Sequence, residues 1–268
     1  MSLFSPEKGD RMAPSDLLIE LRDQKPLVHC MTNYVAMNIA ANVVLAAGAS
    51  PAMVHALEEV DDFTPICSAL TLNIGTLSAP WLASMAAAAK AAQAHDIPWV
   101  LDPVAHFISG YRKEAAQELL ALRPTILRGN ASEILALAGE AGAGKGADSG
   151  DSVEAAQGAA RALAARFGSV VAITGPVDYV TDGTQEARIT GGSSLMPQVT
   201  ALGCAQSALM GAYAATGPAF DAALACLAHF KVAGGAADGL AKGPGSFQMH
   251  FLDALAATQP EDLAQVIA

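Results

Sequence analysis

The chain has 268 residues, of which 52% are hydrophobic and 15% charged, so it carries enough apolar side chains to bury a large core. Its 15 lysines and arginines and 26 acidic residues give a net charge of -11, and the basic residues form no cluster, which argues against a nucleic acid or a membrane surface as partner. The cysteines and histidines have neither disulfide nor zinc spacing, and no signal peptide or spanning segment is apparent. We therefore expect a cytoplasmic protein with a small-molecule ligand.

Short strands alternate with helices along most of the chain. Beyond a tail at residues 1–13, expected to be flexible, this alternation predicts a single α/β domain over residues 14–268, with a mostly parallel sheet between two layers of helices. A hairpin is expected to turn at Asp182 and Gly183, and Asn33 is expected to cap the second helix. The predicted strands are residues 26–31, 51–54, 70–75, 99–104, 125–130 and 169–175. The predicted helices are residues 14–23, 33–48, 58–67, 78–95, 110–122, 130–138, 152–167, 204–216, 219–238 and 246–258.

Polar or glycine-containing turns follow several predicted strands. In parallel α/β sheets the ligand binds beyond the carboxyl ends of the strands, so these turns are expected to gather at one edge of the sheet together with Cys204. The turn residues are Thr32 and Asn33; Asn73, Ile74 and Gly75; Asp102 and Pro103; Arg128, Gly129 and Asn130; and Thr174 and Gly175.

Two acidic residues at these turns suit a magnesium site. Asp102 ends one apolar strand and Glu133 lies just past another, and magnesium prefers oxygen ligands and bridges to phosphates. Each has an ordinary alternative, since Asp102 is also a typical turn residue and Glu133 a typical helix-capping residue. Arg128 could bind a nucleotide phosphate, and a solvated charge at the rim of the sheet explains it equally well.

Cys204 stands at the start of an apolar helix. Helix N-termini carry unpaired N–H groups and partial positive charge, which suit a phosphoryl group and lower the pKa of a cysteine placed there. The alternative is an inert core thiol that packs against Ala208 and Gly211.

Six stretches follow, in order, the pattern of one family: LVHCMTNYVAMNIAANVVLAAGASPAM (27–53), LNIGTL (72–77), VLDPV (100–104), RPTILRGNASEI (123–134), VAITGPVDYVTDG (171–183) and MPQVTALGC (196–204). On these stretches the chain resembles hydroxyethylthiazole kinase, the thiamin-salvage member of the ribokinase-like superfamily. The resemblance implies phosphorylation of the hydroxyl of 4-methyl-5-(2-hydroxyethyl)thiazole by ATP and Mg2+. It also implies a ribokinase-like three-layer α/β/α fold without a lid domain, and a homotrimer with active sites between subunits.

The resemblance also implies roles for individual residues. Cys204 stands where most ribokinase-like kinases have a catalytic aspartate, and a thiolate that accepts or orients the hydroxyl proton would suffice for a loose phosphoryl-transfer transition state. The other matching positions are Met53, Asn33, Gly75 and Ala201 for the substrate, Arg128 and Thr174 for ATP, and Asp102 and Glu133 for magnesium.

Two segments depart from the family pattern. Ala201 stands where the family has the first glycine of V-T-G-T-G-C, and a positive φ there would strain the turn by about 1 kcal/mol or more. Residues 105–108 replace a glycine-rich segment, and His106 and Phe107 are expected to reshape the pocket mouth. We therefore hypothesise reduced activity or a different alcohol substrate. The competing functions are a binding or regulatory paralogue without turnover and a cysteine hydrolase with Cys204 as nucleophile.

Overall fold

The computed structural model describes residues 11–139 and 151–268. Its eight strands are β1 (Leu27–Met31), β2 (Ser50–Ala52), β3 (Ala69–Asn73), β4 (Trp99–Asp102), β5 (Ile126–Asn130), β6 (Val170–Thr174), β7 (Asp178–Thr181) and β8 (Glu186–Ile189). They form one sheet in the order β2-β1-β3-β4-β5-β6-β7-β8, in which the first six are parallel and the β7–β8 hairpin is antiparallel. The predicted mostly parallel sheet and its terminal hairpin are confirmed.

Helices cover both faces of the sheet, because successive residues of each buried strand point to opposite faces. On β4, for example, Val100 packs with one layer and Leu101 with the other. The first layer contains α1 (Pro14–Gln24), α2 (Met37–Ala47), α8 (Leu202–Ala214), α9 (Ala219–Asp238) and α10 (Pro244–Ala257). The second contains α3 (Val60–Phe63), α4 (Ala79–Ala94), α5 (Gly110–Ala121), α6 (Ala131–Ala138) and α7 (Val153–Phe167). This is the predicted three-layer α/β/α architecture.

The start of α2 differs from the prediction, since the helix begins at Met37 and Asn33 does not cap it. The side-chain oxygen Oδ1 of Asn33 instead accepts the N–H groups of Val35 at 3.1 Å and Ala36 at 3.0 Å, which closes a turn before the helix. The predicted cap at Asn33 is therefore wrong, and the amide nitrogen of this side chain donates instead to Asn73 and Cys204.

Close packing fixes α8 against the sheet. A Cβ atom on Gly211 would lie 2.3 Å from Cγ2 of Thr71 on β3, so a glycine is required where the helix crosses the strand. This crossing sets the position of the first turn of α8, which contains Cys204.

Part of the predicted N-terminal tail can be described. Residues 1–10 lie outside the described residues, whereas the side chain of Arg11 lies 2.6 Å from Oδ1 of Asp221 and the N–H of Met12 donates to Oδ2 at 2.9 Å. The glycine-rich residues 140–150 also lie outside the described part of the chain. Among residues 11–139 and 151–268, no helix has the length and hydropathy of a transmembrane span.

Candidate active site

A hydrogen-bond network at the carboxyl edge of the sheet joins Cys204 to Asp102. The side-chain amide of Asn33 donates to Sγ of Cys204 at 3.3 Å and to Oδ1 of Asn73 at 2.8 Å. Asn73 in turn donates to Oδ2 of Asp102 at 2.8 Å, and Ser207, one helical turn beyond Cys204, donates to the same oxygen at 2.6 Å. The turn after β1, the ends of β3 and β4, and the start of α8 therefore meet in one cluster of side chains.

Gly75 gives Asn33 the space that this network needs. A Cβ atom on Gly75 would lie 2.4 Å from the amide nitrogen of Asn33, closer than any real contact. The N–H of Gly75 also donates to Oδ1 of Asn73 at 2.9 Å, so the turn after β3 is tied to the same cluster.

Arg128 extends the network to the turn after β6. Its Nη2 donates to Oγ1 of Thr174 at 2.7 Å and to Oε1 of Gln206 at 3.1 Å, while Nη1 lies 3.6 Å from Oδ2 of Asp102. Arg128 is only 8% exposed, so the alternative of a solvated rim charge is wrong. The guanidinium instead links Asp102 to Thr174.

The first turn of α8 approaches Arg128 closely. Ala201, immediately before the helix, has φ 59° and ψ 14°, which is the left-handed region that a side chain rarely adopts. The N-cap residue Ala201 has no side-chain acceptor for the first amides of α8, which also lack an acceptor within the helix. A Cβ atom on Gly203 would lie 3.0 Å from both terminal nitrogens of Arg128.

Asp102 has one oxygen available inside the network. The carboxylate is fully buried, Oδ2 accepts the hydrogen bonds described above, and Oδ1 has no hydrogen-bond partner in the described part of the chain. Burial raises the pKa of Asp102, against the opposing effects of Arg128, Ser207 and Asn73. A buried, unpartnered carboxylate oxygen is a suitable ligand atom for a hard cation.

Glu133 caps α6, and its carboxylate is near enough to Asp102 to feel its charge. These two carboxylates are called the acidic site below. Its Oε2 accepts the N–H of Asn130 at 2.8 Å within a capping box, and its Oε1 accepts the N–H of Ala105 at 2.8 Å. Burial, followed by the charge of Asp102, raises the pKa of Glu133 to about 7. The predicted capping role is confirmed, and it does not exclude a second role toward a cation.

The acidic residues do not form a cage that would hold a metal by protein ligands alone. Among residues 11–139 and 151–268, no three histidine, cysteine, aspartate or glutamate side chains converge on a metal position. Magnesium is commonly bound by one or two carboxylates together with water and substrate phosphates, so the pair Asp102 and Glu133 fits that ion better than it fits a structural metal.

Arg112 joins the turns on the two sides of this site. From α5 it donates to the carbonyl oxygens of Gly75 at 3.1 Å and Ala105 at 3.3 Å, and also to that of Val104. Ala105 is a second alanine in the left-handed region, with a φ of 48°. Its N–H donates the hydrogen bond to Oε1 of Glu133 described above. Arg112 therefore supports a strained turn that contacts the acidic site.

His106 lies inside the protein and not at the pocket mouth. Its side chain is 1% exposed, its ring packs edge-on against Phe107 at 5.6 Å, and burial lowers its pKa to about 4. The expectation that His106 reshapes the mouth is wrong, because its side chain is buried. Phe107 is half-buried beside it.

The predicted lowering of the Cys204 pKa is also wrong. Burial raises the pKa of this thiol to about 11, the charge of Asp102 raises it further, and the hydrogen bond from Asn33 opposes both. The resting group is therefore a thiol. Its bond to Asn33 at the network's edge also distinguishes it from an inert core cysteine.

Three members of the site are not predicted from the sequence. The sequence places Asn73 in a turn and gives it no role, and it places Ser207 and Gln206 in an apolar helix whose pattern indicates a core. Met53, in contrast, follows β2 and packs against the hydrophobic core of the first helix layer. The helical spacing from Gly203 to Ser207 was the one signal that could have revealed the serine, since it puts both on the same face of α8.

A family profile and the similar known proteins all indicate the same family. The profile of the hydroxyethylthiazole kinase family matches residues 18–261. The chain is 81% identical over 256 residues to a hydroxyethylthiazole kinase of Roseobacter denitrificans, covering 96% of this chain and 100% of that protein. It is 60% identical over 255 residues to one of Rhizobium leguminosarum bv. trifolii, covering 94% of this chain and 96% of that protein.

Solved structures agree with the fold. A hydroxyethylthiazole kinase structure from Pyrococcus horikoshii superposes with a TM-score of 0.88 at 36% identity, covering 95% of this chain and 97% of that one. A pyridoxal kinase of Staphylococcus aureus in complex with ADP gives 0.63 at 17% identity, covering 79% and 88%. The fold is therefore that of the ribokinase-like small-molecule kinases. Within that class, the chain belongs to the hydroxyethylthiazole kinase family and is a kinase.

Proposed function

We propose that this kinase transfers the γ-phosphoryl group of ATP to the hydroxyl of 4-methyl-5-(2-hydroxyethyl)thiazole, with Mg2+, as a step of thiamin salvage in the cytoplasm. Residues 14–268 would form the single catalytic domain. The observation that carries the proposal is the continuous network from Cys204 through Asn33, Asn73 and Asp102 to Arg128 and Thr174. It joins the proposed acceptor, metal and ATP residues of one phosphotransfer reaction.

Cys204 would orient the alcohol. Asn33 already donates to its sulfur, and Sγ can accept a further hydrogen bond from the substrate hydroxyl. A thiol with a raised pKa is a weak base, but a loose phosphoryl-transfer transition state needs positioning more than early proton removal. Asn33, the turn at Gly75, Ala201 and Met53 would hold the rest of the substrate.

Asp102 and Glu133 would hold magnesium at the free Oδ1 of Asp102 and the remaining lone pairs of Glu133. When bound, this ion neutralises charge on the phosphates of ATP. Arg128 and Thr174 would contact the phosphates, since Nη1 of Arg128 lies 3.6 Å from Oδ2 of Asp102 and retains capacity to donate a hydrogen bond. The first amides of α8 would face the transferred group.

A homotrimer with shared active sites is part of the proposal. Large apolar side chains are exposed on the segments that follow β1 and β2, where Tyr34 is 67% exposed and Leu57 51% exposed. Tyr34 packs on Trp81 at 4.6 Å, and His55 stacks on the same ring at 4.5 Å. An exposed apolar patch beside a binding site is typical of an interface. Light scattering of wild type and Tyr34→Lys would test it: a trimer that the substitution dissociates is expected.

Transfer from radiolabelled ATP to the thiazole alcohol tests the activity. Wild type should form the phosphate ester, and Cys204→Ala should lower kcat by about 100-fold while KM for ATP stays within about twofold. Cys67→Ala, a second buried cysteine away from the network, is the matched control and should retain full activity. Wild type that binds ATP but forms no product would favour the non-catalytic paralogue, which the identity to named kinases does not favour.

A further inference from the structure

Lys231 carries a buried charge against the turn that follows β6. It lies on α9, is 5% exposed, and its Nζ donates to the carbonyl oxygens of Gly175 at 2.7 Å and Pro176 at 3.0 Å. The same Nζ lies 3.3 Å from Oδ1 of Asp178. All three ammonium protons therefore have protein oxygens as partners, and Lys231 has none left to offer a phosphate.

A need for stability does not explain this arrangement well. Buried ion pairs add little net stability, because the cost of removing both charges from water offsets their attraction, and apolar replacements are often tolerated. What Lys231 does provide is geometry. Asp178 also accepts the N–H of Gly175 at 2.8 Å, so the residues between Gly175 and Asp178 are held by the ammonium and the carboxylate together.

This turn follows the proposed ATP residue directly. Thr174, whose Oγ1 accepts from Arg128, is the last residue of β6 and precedes the Gly175 carbonyl that Lys231 binds. On its other side, the stem of Lys231 contacts the loop that leads toward α8. A Cβ atom on Gly192 would lie 3.0 Å from Cδ of Lys231, and Gly192 has a φ of +81°.

We infer that Lys231 is a positioning residue of the nucleotide site: it fixes the turn at residues 175–178 so that Thr174 and Arg128 meet ATP in one geometry. The inference rests on the proposed function, because it assumes that ATP binds at Thr174. Lys231 itself does not contact the nucleotide. Its loss should therefore affect ATP selectively and leave the alcohol side, which lies at Asn33 and Cys204, unchanged.

Steady-state kinetics with ATP and the thiazole alcohol test this role. Lys231→Met should raise KM for ATP by about fivefold or more and leave KM for the alcohol within about twofold. Lys242→Met, which removes an exposed lysine, is the matched control and should change neither constant. Isothermal titration with ADP should show the same loss of affinity as the kinetics.

A second variant keeps the test informative if Lys231→Met does not fold. The double variant Lys231→Met with Asp178→Asn leaves an acceptor for the Gly175 N–H and no unpaired buried charge. Its KM for ATP should rise as in Lys231→Met, while its KM for the alcohol stays within about twofold. Unchanged KM for ATP, or equal rises for ATP and alcohol, in a folded variant would overturn the inference. If wild type transfers no phosphate to the alcohol, the proposed function fails separately, and ADP titration of wild type and variants still decides the role of Lys231.

Discussion

Gly203 lies directly against the guanidinium of Arg128, so close that even a methyl side chain would require the guanidinium to move. A Cβ atom there would stand 3.0 Å from both Nη1 and Nη2. Arg128 is held by Thr174, Gln206 and Asp102, so its guanidinium is fixed even though arginine side chains are usually flexible. The glycine therefore sets how closely α8 approaches the proposed phosphate site.

Gly203→Ala should displace the guanidinium by a few tenths of an ångström and weaken its bonds to Thr174 and Gln206. We expect KM for ATP to rise about tenfold, with a loss of about 1 kcal/mol in the free energy of unfolding. Steady-state kinetics and urea denaturation measure the two effects.

Gly158→Ala is the matched control, because a Cβ atom at this exposed position of α7 meets nothing within 4 Å. It should stabilise the protein by about 0.5–1 kcal/mol and leave both KM values unchanged. An unchanged KM for ATP in Gly203→Ala would show that the contact with Arg128 does not position the nucleotide.

Ala201→Gly should relieve the backbone strain before α8. The left-handed conformation costs an alanine about 1–2 kcal/mol, while glycine loses more chain entropy on folding, so a net stabilisation of about 0.5 kcal/mol is expected. Because Ala201 is one of the proposed substrate-site residues and has a methyl group where the family pattern has a glycine, we also expect KM for the alcohol to fall. Urea denaturation and kinetics with the thiazole alcohol measure both effects.

An alanine in ordinary helical conformation provides the control for this prediction. Ala162, exposed within α7, should lose about 1 kcal/mol when changed to glycine. If Ala201→Gly destabilises the protein as much as Ala162→Gly does, the turn is not strained in solution. If KM for the alcohol does not fall, the methyl group of Ala201 does not restrict binding of this alcohol.

Arg112→Met should loosen the turn that presents Ala105 to Glu133. Three hydrogen bonds to backbone carbonyls are lost from a half-buried side chain, and we expect a destabilisation of about 1–3 kcal/mol. The concentration of Mg2+ that gives half-maximal activity should rise about fivefold, because the acidic site loses its fixed geometry.

Lys113→Met provides the control, since Lys113 is the exposed neighbour of Arg112 on α5. It removes the same charge without touching the turn and should alter neither stability nor the Mg2+ requirement. Arg112→Lys separates charge from geometry, because a single ammonium does not reproduce the planar fork that reaches three carbonyls. Full recovery of the Mg2+ requirement in Arg112→Lys would show that charge alone matters.

The order of strands and helices can be predicted from the sequence, because the strands are short apolar runs and the helices have apolar residues at helical spacing. Parallel pairing then dictates that Asn33, Asp102 and Thr174, which follow different strands, lie at one edge. The directions of the side chains were not predictable in the same way. Whether Asn33 caps a helix or reaches Cys204 depends on the turn at residues 34–36, and the pKa of Cys204 depends on burial that only the packed α8 reveals.

Glu133 should give the ligand-free protein an unusual dependence of stability on pH. Its pKa is raised from 4.5 to about 7, so the folded state holds a proton that the unfolded state releases between these values. The resulting stabilisation is fully present below pH 4.5 and is lost as the pH rises through about 7. It amounts to about 3 kcal/mol at most.

Glu133→Gln removes this titration. The difference in free energy of unfolding between wild type and Glu133→Gln, measured by urea denaturation without Mg2+ or ATP, should shift against wild type from pH 4.5 to 7 and stay constant above pH 8. His29, His106 and His229, whose pKa values burial lowers, act in the opposite direction but are present in both proteins and cancel in the difference. A difference that does not vary with pH would mean that Glu133 is already ionised in the folded protein at pH 5, with Arg128 and the backbone N–H groups outweighing its burial.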